Sequence, residues 1–429
     1  MESTISPELR SFVPAAPDSH FPIQNLPYGV FRPRAGGAPR AGIAIGEMIL
    51  DLRALESRSL LKLPQVDEGA GPIFARPSLN AFMALGREAW RSVREQVSRL
   101  LSADEPLLRD DAKLRQSALV PMAEAELLLP VEIGDYTDFY SSRHHAANVG
   151  AMFRGPENAL PPNWLHLPIA YHGRASSIVA SGVDLRRPRG QTKPEGADSP
   201  TFGPSQAVDF ELEMGYFIGP GNRLGEPIPV ERAMDHVFGL ALVNDWSARD
   251  IQRWEYVPLG PFLAKNFGTS ISPWIVTLEA LEPFRTAGPL QQPPPLDYLR
   301  CGGDQAYDIR LQVSLQSATM SAPQTICNSN FGNLYWSIAQ QIAHHTAGGC
   351  NLRTGDLLAS GTISGPTPDS RGCLLELTSG GRQPLELARG ETRRYLADGD
   401  RVTMTAWCEG DGYRVGFGEV TGRILPAVD

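Results

Sequence analysis

The sequence predicts a β-rich chain of more than one domain, and three observations carry that expectation. First, 429 residues exceed what one hydrophobic core organises, since chains split into domains beyond roughly 250–300 residues. Second, 42 glycines and 37 prolines stand well above the roughly 12% that these two residues average together. A chain of that composition spends many residues on turns and shaped loops. Third, from about Val131 onward short runs alternate apolar and polar residues, the period of a half-buried strand. The first segment reads differently, so the boundary is placed close to Pro121, giving expected domains 1–120 and 121–429.

Within the first segment, Gly29, Val30 and Phe31 and then residues 42–51 predict short strands joined by a tight turn. A helix is expected next, opened by Ser78, because Phe82, Leu85, Ala89, Val93, Val97 and Leu100 recur at three- and four-residue steps. Further on, Tyr307, Ile309, Leu311, Val313 and Leu315 alternate with polar residues and predict a strand. Residues 333–345 predict a helix with Leu334, Ile338 and Ile342 on one face and Gly348-Gly349 ending it. Residues 356–360, 373–377, 401–408 and 414–420 predict successive strands. The Pro289 to Pro295 run predicts a surface connector.

Charge and cysteine usage exclude several classes. The chain has 39 Lys plus Arg against 48 Asp plus Glu, a net charge of −9, so it lacks the basic face with which nucleic-acid binders displace counterions. Its first residues lack the basic start and apolar run of a signal peptide. Residues 237–243 are among the longest apolar runs, far short of the about 20 residues that cross a bilayer. No membrane or nucleic-acid partner is expected. Five cysteines form no C-x-x-C pair and suit free thiols in a reducing cytoplasm.

The chemistry-bearing residues start with Phe210-Glu211-Leu-Glu213-Met214. On a strand Glu211 and Glu213 share one face, about 6.6 Å apart, and repel by roughly 2.5 kcal/mol at an effective dielectric near 20. Water on an exposed face can screen that repulsion; a hard divalent cation between the two carboxylates removes it. Two further acidic segments, Asp135-Tyr-Thr-Asp138 and Asn244-Asp245-Trp-Ser-Ala-Arg249-Asp250, wedge carboxylates among apolar residues, where an unpaired charge is costly. Spacing leaves open the choice between Asp135 and Asp138 and between Asp245 and Asp250. Of the histidines, the His144-His145 pair lies closest in sequence to an acidic cluster. Neither H-E-x-x-H nor G-x-S-x-G is present, so zinc-protease and serine-hydrolase signatures are missing.

Long segments then carry a resemblance. They include Phe21-Pro-Ile-Gln-Asn-Leu-Pro-Tyr-Gly-Val-Phe31, Ile133-Gly-Asp-Tyr-Thr-Asp-Phe-Tyr-Ser-Ser-Arg143, Asn163-Trp-Leu-His-Leu-Pro168 and Tyr171-His-Gly-Arg-Ala-Ser-Ser177. Asn244-Asp-Trp-Ser-Ala-Arg-Asp250, Trp254-Glu-Tyr-Val-Pro-Leu-Gly-Pro-Phe262, Ala359-Ser-Gly-Thr-Ile-Ser-Gly365 and Gly410-Asp-Gly-Tyr-Arg-Val-Gly-Phe-Gly418 extend it over most of the chain. In these segments the sequence closely resembles the fumarylacetoacetate hydrolase family.

The resemblance implies a small SH3-like β-barrel at the N-terminus and a larger β-rich catalytic domain, a mixed β-sandwich roll, that forms a homodimer. It implies metal-dependent hydrolysis of a carbon–carbon bond in a β-diketo acid of tyrosine and phenylalanine catabolism, in the cytoplasm. Carried over residue by residue, the metal carboxylates fall on Asp138, Glu211, Glu213 and Asp245, hard oxygen ligands that imply Ca²⁺ or Mg²⁺ in preference to zinc. A second, Mg²⁺ site falls on Asp245, Lys265 and Thr269, the lysine through its backbone oxygen because an ammonium has no lone pair. The catalytic His falls on His145 with Glu376 behind it, and the oxyanion positions on Arg249, Gln252 and Lys265. Substrate contacts fall on Tyr140, Arg154, Tyr171, Gln252, Tyr256 and Thr362. The E-x-E and later Asp ligands are shared with relatives that hydrolyse acylpyruvates, decarboxylate oxaloacetate or isomerise dienoates. The N-terminal domain and the His145/Glu376 pair point to the hydrolase.

Overall fold

The computed structural model describes residues 4–63, 66 and 71–428. Tyr28–Pro33, Arg40–Ile45 and Met48–Asp51 pair antiparallel in chain order, with Gly29 opposite Gly42 and Ile45 opposite Met48. Gly46 makes the tight turn at φ 54°, a left-handed backbone that glycine adopts freely. A Cβ there would also lie 2.2 Å from the Pro14 carbonyl oxygen. Leu119–Pro121 and Ala125–Leu128, on either side of Met122–Glu124, add the two edge strands of this five-stranded sheet.

The helix expected from Ser78 is two helices, Asn80–Met83 and Arg87–Leu101, parted at Gly86 with φ 81°. Apolar spacing carries on across the break because both pieces bury the same kind of residue. Trp90, Val93, Val97 and Leu100 enter one core with Val30, Ile43 and Leu50.

The larger part is built on two sheets. An eight-stranded mixed sheet runs in the order Ala170–Gly173, Tyr136–Phe139, Leu357–Ala359, Leu212–Ile218, Val237–Asp245, Thr269–Ile271, Ile178–Ala180, with Val276–Thr277 beside Val237–Asp245. Its two central strands are buried at every position, as expected of strands covered on both faces. A five-stranded sheet orders Gln324–Asn330, Arg310–Gln316, Arg401–Glu409, Arg414–Leu425 and Leu185–Arg186. There the predicted alternation is present, one face buried and the other partly exposed. A continuous core including Tyr216, Leu242, Val313, Trp336 and Met404 joins the two sheets.

Two expectations on this part need correction. Residues 373–377 form no strand; Leu374–Leu377 is a helical turn, made possible by a distant carboxylate described below. The helix expected over 333–345 starts only at Ile338, where Ser337 and Gln340 close a capping box. Ser337 therefore overrides the apolar periodicity that reaches back to Leu334. Among the described residues no helix is long and apolar enough to cross a membrane, and all five cysteines are free.

Candidate active site

Strand register assembles the acidic cluster. Asp138 lies opposite Ala359 in a parallel pair and opposite Tyr171 in an antiparallel one. Leu212 is opposite Asn244, and Asp245 is opposite Thr269. Tyr171, Asp138, Glu211, Glu213, Asp245 and Thr269 thus meet at one end of the same sheet. Asp138, Glu211, Glu213 and Asp245 are all buried, and each offers an oxygen within 4.8 Å of the others. Asp135 and Asp250 are elsewhere: Asp135 pairs with Arg353, and Asp250 accepts from Ser205 Oγ and, at 2.7 Å, from Gln206 N.

Two cations face the cluster. Lys265 Nζ lies 2.6 Å from Asp245 Oδ2 and also donates to Glu211 Oε2, while Arg249 Nη1 pairs with Glu211 Oε1. Burial raises the Glu211 carboxyl, but Lys265 and then Arg249 overrule it and hold Glu211 well below the usual carboxylate range. Glu213 shifts the other way, pushed up by burial and by Asp138 and Asp245. Asp138 and Asp245 are also raised, chiefly by burial. Four carboxylates carry −4 when ionised, and Arg249 with Lys265 return two positive charges. Asp209, which also pairs with Arg249, adds a further negative charge, so one divalent cation offsets most of the remainder.

The residues present fit such an ion. Both Glu213 carboxylate oxygens are buried with no hydrogen-bond partner among the described residues, an arrangement that costs several kcal/mol unless something positive sits there. All four donors are hard oxygens, which suit Ca²⁺ or Mg²⁺ in preference to zinc. Thr269 Oγ1 donates to Asp245 Oδ1 at 2.7 Å. Lys265 meets the cluster through its ammonium, and its carbonyl oxygen faces Gly268 N at 3.5 Å.

A second buried group stands beside this cluster, with the His145 imidazole within electrostatic reach of Glu211. His145 sits in the first turn of Arg143–Arg154, whose N-cap Ser142 accepts from the His145 N–H. His145 Nδ1 is 2.6 Å from Glu376 Oε2. Asn148 Nδ2 donates to Glu376 Oε1 at 2.8 Å, and Ser364 Oγ donates to Oε2 at 2.7 Å. Burial raises the Glu376 carboxyl; His145 and these donors overrule it and bring it down to about 2. The carboxylate is therefore ionised and fully engaged. The Tyr140 ring meets the His145 ring edge-on at 5.3 Å.

The remaining candidates divide into two groups. Gln252 Oε1 accepts from Arg249 Nη1 at 3.2 Å, and Tyr171 donates to Asp245 Oδ2 at 3.0 Å. Arg249 Nη2 and Thr362 Oγ1 are buried without a partner among the described residues, so both have capacity left for a ligand. Arg154 and Tyr256 are not drawn into the cluster. Arg154 is exposed and donates to the carbonyls of Asn158 and Ala159 at 3.1 and 2.7 Å, and Tyr256 is 49% exposed. Sequence reasoning missed Asn148, Ser364 and Asp209. Asp209 had a signal, because it precedes Glu211 and Glu213 at the same two-residue step; the other two had none.

Comparison with known proteins decides the lineage. The profile described as Fumarylacetoacetase N-terminal matches residues 24–130, and the Fumarylacetoacetate (FAA) hydrolase C-terminal profile matches residues 135–425. The chain belongs to the fumarylacetoacetase family. It is 56% identical to the fumarylacetoacetase of Bos taurus over 418 residues, 97% of this chain and 99% of that one. The Arabidopsis thaliana fumarylacetoacetase is 58% identical over 422 residues, 98% and 99% of the two chains. A solved fumarylacetoacetate hydrolase from psychrophilic Exiguobacterium antarcticum superposes with a TM-score of 0.52 at 18% identity, covering 94% of this chain and 99% of that chain. That likeness concerns the fold alone.

Proposed function

We propose that the chain hydrolyses the carbon–carbon bond of 4-fumarylacetoacetate to fumarate and acetoacetate, the last step of tyrosine and phenylalanine catabolism. The observation that carries the site chemistry is the buried His145–Glu376 pair, 2.6 Å apart, beside four buried carboxylates. Glu376, ionised, accepts a hydrogen bond from His145 Nδ1–H and leaves Nε2 as the basic nitrogen. That nitrogen takes a proton from water while the water oxygen bonds to the carbonyl carbon. The charge gathering on the carbonyl oxygen is received by Arg249, Gln252 and Lys265. As the carbonyl re-forms, the carbon–carbon bond breaks, its electron pair leaves with acetoacetate as the enolate, and the imidazolium returns the proton to carbon.

Asp138, Glu211, Glu213 and Asp245 would hold Ca²⁺, and Asp245, Lys265 and Thr269 a Mg²⁺. When bound, the ion supplies a Lewis acid for the diketone oxygens. Tyr140, Tyr171, Gln252 and Thr362 would orient the β-diketo acid, with Arg154 and Tyr256 recruited from the surface. A homodimer in the cytoplasm completes the proposal. The exposed Val257, Leu259 and Phe262, of which Leu259 is 95% exposed, support an interface on this face, and sedimentation at two concentrations tests it. The reaction is tested by incubating the chain with 4-fumarylacetoacetate and measuring fumarate and acetoacetate in equal amounts. Cleavage of a simple acylpyruvate with none of 4-fumarylacetoacetate would overturn it.

A further inference from the structure

We infer that Asp209 is a positioning residue that keeps the oxyanion side of the site in register with the base side, an inference that rests on the roles just given to Arg249 and Glu376. Asp209 is fully buried, and both of its oxygens are saturated. Oδ1 accepts from Leu374 N at 2.7 Å and Phe210 N at 2.8 Å. Oδ2 accepts from Leu375 N at 2.9 Å and Arg249 Nε at 2.9 Å.

On one side Asp209 aims a guanidinium. The Arg249 group is planar, so two fixed edges set the third. Asp209 pins Nε and Glu211 pins Nη1, which leaves Nη2 at a set direction, buried and without a partner among the described residues. On the other side Asp209 caps the turn that carries Glu376. Leu374–Leu377 is four residues long, too short to hold itself by its own hydrogen bonds. Its first N–H groups have no acceptor within the turn, and its N-cap, Cys373, does not cap them, its thiol donating to Glu376 Oε2 at 3.2 Å instead. Asp209 supplies that cap from far away in sequence. A single carboxylate therefore ties Arg249 to Glu376, and through Glu376 to His145. A residue serving stability alone would need neither the shared oxygen Oδ2 nor both partners in the reaction.

Asp209→Asn tests this. One oxygen becomes an NH₂ that faces two donors, whichever way the amide turns, so two of the four hydrogen bonds and the carboxylate charge that holds Arg249 are lost with little change in volume. The expected result is a loss of kcat of about 10²-fold, the scale of a small misplacement of reacting groups, with Ca²⁺ binding by calorimetry close to that of the unaltered protein and a single melting transition at a lowered temperature, because two buried donors lose their acceptor. Double-mutant cycles supply the readout that a structural role leaves unmoved. In the Arg249→Ala and the Glu376→Gln backgrounds, Asp209→Asn must cost clearly less than it costs alone. The full loss in either background, or unaltered kcat alone, overturns the inference. If Asp209→Asn does not fold, Asp209→Ser takes its place in the same cycles, and failure of both to fold assigns Asp209 to stability and overturns it too. Unaltered protein and His145→Ala are run alongside. Should the first not hydrolyse 4-fumarylacetoacetate, the proposed function fails and the inference falls with it. Should the first hydrolyse it and the second not, the cycles decide the role of Asp209 by themselves.

Discussion

Glu213 shows what single residues disclose. Its two unpartnered oxygens make it a cost to the fold while the cluster holds no cation. Its carboxyl is raised by burial and by Asp138 and Asp245, so the metal-free chain loses stability as pH rises past the ordinary carboxylate range. Glu213→Gln should therefore raise the melting temperature of chelator-treated protein while lowering Ca²⁺ affinity. The affinity loss should exceed the roughly 10- to 100-fold typical of residues that merely support ligands, and calorimetry with and without Ca²⁺ reads both effects. Glu376 behaves oppositely. Its folded-state value of about 2 lies below the ordinary 4.5, so its contribution to stability is present above pH 4.5 and lost as pH falls toward 2. In Glu376→Gln the imidazolium loses its stabilising partner, so the acidic limb of the kcat profile should move to lower pH while kcat falls. A limb that stays in place would remove Glu376 from the base. The E-x-E pair was legible as a carboxylate face, whereas spacing left Asp135 and Asp138 open; the family resemblance favoured Asp138, and register and burial give the physical reason.

Elements were legible where one face meets water. Arg310–Gln316 and Arg401–Glu409 alternate in sequence and in burial. Leu374–Leu377 was not legible, since its apolar run suits a buried strand and its cap comes from Asp209. The break at Gly86 and the start at Ile338 were lost for a related reason: periodicity counts side chains and does not register a left-handed glycine or a capping box. Backbone position matters most at Gly361, which follows Leu357–Ala359 at φ 74° and donates its N–H to Asp138 Oδ1 at 3.1 Å. A Cβ there would lie 2.1 Å from the Phe139 carbonyl oxygen. Gly361→Ala should push the Asp138 strand end aside, costing at least about 1–3 kcal/mol of stability and weakening Ca²⁺ binding, both measurable by calorimetry.

At the scale of the whole molecule the two parts share a core. Tyr28, Phe82 and Trp90 pack with Phe217, Phe238 and Ile271, Trp90 meets Phe238 edge-on at 5.1 Å, and Tyr28 and Ile275 exchange backbone hydrogen bonds. The sequence showed a change of character near Pro121, but no local pattern reports contacts between distant segments. Trp90→Ala should cost about 3–5 kcal/mol and lower one melting transition for the whole chain. Two separate transitions would show that the parts unfold independently.

The proposed hydrolysis assigns His145 the role of a base that is not a metal ligand, so the decisive measurement is kcat for 4-fumarylacetoacetate and the Ca²⁺ isotherm on the same preparation of His145→Ala. A base of that kind predicts loss of most of kcat, on the order of 10²–10⁴-fold for a positioned general base, with Ca²⁺ affinity unchanged. Near-normal kcat, or loss of Ca²⁺ binding together with activity, would refute that role.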